Sequence, residues 1–163
     1  MHADVKLNIE SLLAHIESCN EKYDVMGLCG TEYAKISTSP LNWYTSSQTR
    51  PDKRWGCVTH IEVGNQTSYF SGDRKEITDH SVALIDGLCI IFGKNAINSE
   101  IKFDEQFLFD QYDTDISLQT VLTYKLRLGC IVEPSLIHNS IGMSITKAEF
   151  LEHEKDLRKK WNF

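Results

Sequence analysis

The sequence predicts an α/β fold in which helices flank a mixed sheet. Apolar residues recur at helical spacing near the start, at Ile9, Leu12, Leu13 and Ile16. Three runs, Tyr23 to Cys29, Ser81 to Phe92 and Arg127 to Val132, are almost continuously apolar, as strands buried on both faces are. A charged segment with a helix-start signal follows near the end. Helices and buried strands mixed along one chain define the class and leave the strand order open.

Taken in order, Asn8 is placed to cap the first helix, because its side chain can accept from the free amides of the first turn. Its apolar face should pack on the sheet. The run Tyr23 to Cys29 suits a buried strand that breaks into a loop at Gly30. Thr31 to Trp55 is polar and aromatic, with Pro40 and Pro51, and predicts a long functional loop without regular structure. Cys57 to Val63 and Thr67 to Phe70 flank Gly64-Asn65, which predicts a hairpin.

Ser81 to Phe92 reads as a central strand interrupted at Asp86-Gly87. Asp115 to Leu126 is compatible with a helix buried on one side, and Arg127 to Val132 with a short strand ending at Pro134. Thr146-Lys147-Ala148-Glu149 is a capping box that opens a charged helix reaching about Lys160.

A chain of 163 residues, 41% apolar, suits one domain spanning 1–163. The formal net charge of -6 argues against a nucleic-acid binder, which needs a basic surface. No run of about 18 apolar residues is present to span a bilayer. The start carries charges without a preceding apolar stretch, so the expected location is cytoplasmic, with the cytoplasmic face of the membrane as a second address. Five scattered cysteines without zinc-knuckle spacing read as reduced core thiols. His15 and His153 fall on helix surfaces, and the sequon Asn65-Gln66-Thr67 reads as a turn.

Several acids stand where physical chemistry asks for a reason. Asp86 interrupts an apolar strand, and a buried unpaired carboxylate costs several kcal/mol. Either it binds a ligand hydroxyl, with Gly87 allowing close approach, or it sits in a bulge paired with Lys94 or Arg127. Asp113 and Asp115 precede an amphipathic stretch, where acids serve as bases or cap a helix. Trp43, Tyr44 and Trp55 lie in the polar loop, where they can stack on a ligand, close as a lid or anchor the loop itself.

Five segments in order carry a family resemblance: His2-Ala3-Asp4-Val5, Gly27-Leu28-Cys29-Gly30-Thr31, Asp86-Gly87-Leu88, Phe103-Asp104-Glu105 followed by Tyr112-Asp113-Thr114-Asp115, and His138-Asn139-Ser140-Ile141-Gly142. Together they resemble the distal half of family 2-like glycosyltransferases with the GT-A fold. His2 stands where the metal motif has its first Asp, and Tyr112 where the base motif has Glu.

The resemblance implies an incomplete GT-A, Rossmann-like domain that transfers a sugar from a nucleotide-sugar donor to a glycan hydroxyl with inversion, in polysaccharide or surface-glycan synthesis. It implies Asp113 as the catalytic base, Asp86, Gly87, Trp55 and Asp115 at the acceptor, and Asp4 with His138 on a divalent metal, Mn or Mg. Asp4 can equally be an acid at a helix start, and His138 a satisfied structural histidine. The family's nucleotide-binding half, about 80 to 100 residues on the βαβ scale, is not recognisable here. A homodimer, or a partner subunit supplying that half, is therefore expected. The alternative reading is a glycan-binding or assembly module without transfer activity.

Overall fold

A computed structural model describes residues 3–37, 40–62, 65–71, 76–107, 109–139 and 147–163. It is a mixed α/β structure with two sheets, where the sequence suggested one. The first sheet contains β1 (Val5–Lys6), β3 (Cys29–Thr31), β4 (Arg54–Glu62), β5 (Asn65–Ser71), β7 (Leu84–Ile85) and β10 (Ile137–His138). The second contains β2 (Val25–Gly27), β6 (Thr78–Ser81), β8 (Ile90–Phe92) and β9 (Leu128–Val132), in the order β6-β9-β2-β8. Each sheet has one parallel pairing, β10 with β4 and β9 with β2, among antiparallel ones.

The apolar runs hold more than one strand each because the chain passes between sheets inside them. Val25–Gly27 pairs in the second sheet, and one residue later Cys29–Thr31 pairs in the first. The segment Ser81 to Phe92 is not one central strand. Val82 donates its N–H to Leu128 O in the second sheet, and Ala83 donates to Thr31 O in the first. The chain then returns to the second sheet at β8. The crossing is tight, since a Cβ on Gly27 would lie 2.7 Å from Ile85 Cβ and one on Gly30 2.8 Å from Leu84 O. Both positions require the absence of a side chain.

Helix α1 (Ile9–Cys19) begins as expected, with Asn8 Oδ1 accepting from Ser11 N. Its buried face differs. Leu12 and Cys19 are buried, whereas Ile9 and Leu13 are more than half exposed. Leu12, Ile16 and Cys19 form the i, i+4, i+7 stripe that meets Tyr23, Met26 and Ile131.

The segment expected to be a loop contains α2 (Trp43–Thr49). Asn42 caps it, accepting from Thr45 N at 2.7 Å, and the buried Trp43 anchors it. A helix of Thr, Ser and Gln has little intrinsic propensity, so the cap and that anchor stabilise it.

The hairpin β4–β5 forms, with Glu62 opposite Asn65. After the short α3 (Lys94–Ile97), α4 (Tyr112–Leu118) starts three residues before the predicted point and passes into a π-helical turn at Gln119–Thr123. Helix α5 (Lys147–Trp161) ends one residue beyond the prediction, and Thr146 of the capping box lies outside the described residues. Leu157, Phe107 and Leu118 form the core under α5. All five cysteines are free and buried. Among the described residues, no helix is long and apolar enough to cross a membrane.

Candidate functional site

Two acids 27 positions apart in the sequence converge where β7 ends. Asp86 follows Ile85, and its N–H donates to Cys29 O at 2.9 Å. Its Oδ1 accepts from Leu88 N at 2.8 Å, and its Oδ2 accepts from the Trp43 indole N–H. The next residue, Gly87, donates its N–H to Asp113 Oδ2 at 3.1 Å. Asp113 Oδ1 accepts from Thr114 N at 2.6 Å in the first turn of α4.

Ser117 fixes this approach. Its hydroxyl donates to Asp113 O at 2.7 Å and accepts from Ile85 N at 3.1 Å, tying α4 to β7.

The pair has an electrostatic consequence. The Asp113 carboxyl is pushed up to about 7, first by burial and second by the negative charge of Asp86, against the bonds from Thr114 and Gly87 that favour the charged form. The positive end of α4 adds some stabilisation of the charged form.

Gly87 has a steric role. A Cβ there would lie 2.0 Å from the Tyr112 hydroxyl, so the ring of Tyr112 occupies the space its missing side chain leaves. Beyond Tyr112 a shallow groove is lined by Phe103, Asp104, Glu105 and Phe107. Phe92, Phe103 and Tyr112 make successive edge-to-face contacts along it, at centroid distances of 5.9 and 6.0 Å.

Asp115 is linked to the groove residue Asp104 through Lys160, whose Nζ donates to both carboxylates. It is fully buried, with Oδ1 accepting from the Trp161 indole at 2.8 Å and Oδ2 accepting from Gln119 and from Lys160 Nζ at 2.9 Å. Its place is an anchor for α5, which differs from the acceptor position the resemblance implied. Trp55 also has its indole engaged elsewhere, donating to Glu32 Oε1 at 2.8 Å and stacking on His80 at 3.4 Å. Of the loop aromatics, Trp43 is the one bonded to Asp86.

Asp4 and His138 meet at a second place. Strand β1 pairs with β10, which runs beside β4, so Val5 is opposite His138 and His138 is opposite His60. Asp4, just before β1, brings Oδ2 to 3.3 Å from His138 Nε2, and His138 Nδ1 lies 3.2 Å from His60 Nδ1. His138 is buried, while the Asp4 carboxylate is partly open. A carboxylate oxygen and an imidazole nitrogen this close are a donor pair that suits Mn, which accepts nitrogen, better than Mg. The helix-start alternative for Asp4 fails, since a strand follows it. His2 and residues 140–142 of the His138 segment lie outside the described residues.

The Arg127 partner considered for Asp86 is directed instead at Asp24, through Nε and Nη2 at 3.0 Å each.

No family model, curated protein or solved structure matches this chain.

Sequence reasoning missed two neighbours of the acid pair. Gln111 holds a left-handed φ of 61°, is buried, and neither its amide oxygen nor its amide nitrogen has a partner among the described residues. Asp110 pairs with His153 Nδ1 at 2.5 Å and is raised by burial, with Oδ2 unpartnered. His153 therefore faces inward as well as outward. The polar run Asp110-Gln111 between aromatic residues was the available signal.

Proposed function

We propose that the chain is part of a GT-A-type, inverting glycosyltransferase, with Asp113 as the base and Asp86 as the holder of the acceptor hydroxyl. The observation that carries this reading is the convergence of Asp86 and Asp113 across Gly87, beside a groove with an aromatic edge. A base must be ready to accept a proton near the working pH, and a carboxyl raised to about 7 meets that condition.

In the proposed step the acceptor oxygen attacks the anomeric carbon of the sugar, and its proton passes to Asp113. The bond from that carbon to the nucleotide diphosphate breaks, and the electron pair leaves with the diphosphate. Asp4 and His138 would hold a divalent cation, which when bound neutralises charge on the leaving diphosphate. Phe103 and Tyr112 offer faces for sugar C–H groups, with Asp104 and Glu105 as hydroxyl acceptors.

A second copy or a partner subunit is proposed to pair with this chain. The outward face of α1, with Ile9 and Leu13 more than half exposed, is an apolar surface of the sort such contacts cover.

The reading is tested by isothermal titration of the chain, alone and with its assembly partner, with sugar nucleotides and Mn. Binding that requires Mn and is weakened by Asp4→Asn supports it. Absence of binding in both preparations removes the donor-site claim. A glycan-binding module without transfer is the second reading, favoured by the occupation of both Asp86 oxygens by Leu88 and Trp43. Acceptor glycan binding with no turnover in the complete assembly would select it.

A further inference from the structure

Another cluster of metal-binding side chains lies on α1, among residues that the proposed reaction does not use. His15 and Cys19 are four residues apart on this helix, so their side chains project from one face. Asp79 of β6 faces them. One ligand atom from each residue lies within 4.8 Å of the other two. Cys19 is fully buried, and the buried His15 Nε2 has no hydrogen-bond partner among the described residues, lying 3.8 Å from Asp79 Oδ2. A buried imidazole nitrogen without a partner forfeits its hydration for nothing in return, and a separation of 3.8 Å is too long to restore it as a hydrogen bond.

We propose that His15 Nε2, Cys19 Sγ and Asp79 bind a Zn2+ ion that staples α1 to β6. The donor set decides the cation. Imidazole, thiolate and carboxylate are the three ligand types that Zn2+ takes together, whereas Mg2+ and Ca2+ prefer oxygen alone. Metal–ligand lengths of about 2.0 to 2.3 Å in a tetrahedron place ligand atoms roughly 3.3 to 3.8 Å apart, so the cluster needs to contract only by about an ångström. Three protein ligands leave the fourth position to water. On binding, the Cys19 thiol gives its proton to solvent and the sulfur forms the bond to zinc.

Two groups compete for Asp79. Lys22 Nζ donates to it at 2.9 and 3.1 Å, and the Tyr23 hydroxyl donates at 3.1 Å. Lys22 is 54% exposed on a flexible stem, so it can swing to solvent and yield its place to a cation of higher charge. Burial and the Asp79 charge at present hold the Cys19 thiol above its ordinary value, and a bound cation reverses that effect.

Co2+ is the probe, titrated into the reduced full chain. A thiolate-to-cobalt charge-transfer band should grow to one equivalent and disappear on addition of Zn2+, and Zn2+ should raise the melting temperature. Cys19→Ser should abolish the band, His15→Gln should weaken Zn2+ affinity at least tenfold, and Lys22→Ala should tighten it. Asp4→Asn should leave the band unchanged, separating this site from the Asp4–His138 pair. Circular dichroism checks the fold of each variant, and if Cys19→Ser does not fold, His15→Gln decides. Absence of a band in the unmodified chain, a band that survives Cys19→Ser, or unchanged affinity in His15→Gln overturns the proposal.

Discussion

Asp24 and Asp113 are both carboxylates held among protein atoms, and their surroundings push them in opposite directions. Asp24 accepts from the Arg127 backbone and guanidinium and from Asn95, and these bonds hold it down at about 2. Asp113 has two backbone N–H donors and no cation among its named partners, and it faces Asp86, so it is raised. A buried acid facing a cation is an anchor, whereas one facing another acid keeps a proton to exchange.

The largest effect that tests this contrast is on rate. Replacing Asp113 by Asn keeps the shape and removes the basic oxygen, so sugar transfer by the complete assembly should fall by about 100- to 10,000-fold. Initial rates at saturating donor measure it. A loss of only a few-fold would break the distinction between the two kinds of acid.

The next is on stability. Replacing Asp24 by Ala strands the Arg127 N–H and the Asn95 amide, and should cost about 2 to 3 kcal/mol in urea unfolding at pH 7. Because the folded value is depressed, the stabilisation is fully present above the unfolded value near 4. It is lost as pH falls through about 2.

A smaller effect of opposite sign follows for Asp113. Its folded value is raised, so between about pH 4 and 7 unfolding releases a proton and stability falls as pH rises. Asp113→Asn should therefore gain stability relative to the unmodified chain as pH rises from about 4 to 8, with the advantage vanishing below pH 4. Thermal melts at the two pH values read this difference. An advantage independent of pH would show that the carboxylate is not strained by its neighbour.

The smallest concerns the exposed pair Arg50–Asp52, at 2.7 Å. Arg50→Ala should leave the melting temperature unchanged, since exposed ion pairs contribute little.

Much of the local structure was legible in the sequence because it rests on near neighbours. Asn8 caps its helix, Arg54–Glu62 and Asn65–Ser71 pair as a hairpin, and Leu128–Val132 is a buried strand. The break at Asp86 was visible as an acid in an apolar run. What lay hidden depends on distant partners. Nothing near Leu28 indicates that Gly27 and Cys29 pair in different sheets, because both halves are equally apolar. The role of Asp115 depends on Trp161, 46 positions away, and the helix at Trp43 on a cap within a run of weak helix formers. Asp4 and His138 meet from 134 positions apart, and no local pattern indicates it.

The passage of the chain between sheets bears on any attempt to divide the protein. Strands of the first sheet come from residues 5–6, 29–31, 54–62, 65–71, 84–85 and 137–138, and those of the second from 25–27, 78–81, 90–92 and 128–132. The two sets are interleaved, so no single cut separates one sheet from the other. Fragment complementation at any site between residues 27 and 128 would have to rebuild both sheets at once, and the acid pair, seated at one of the crossings, would reappear only with the whole.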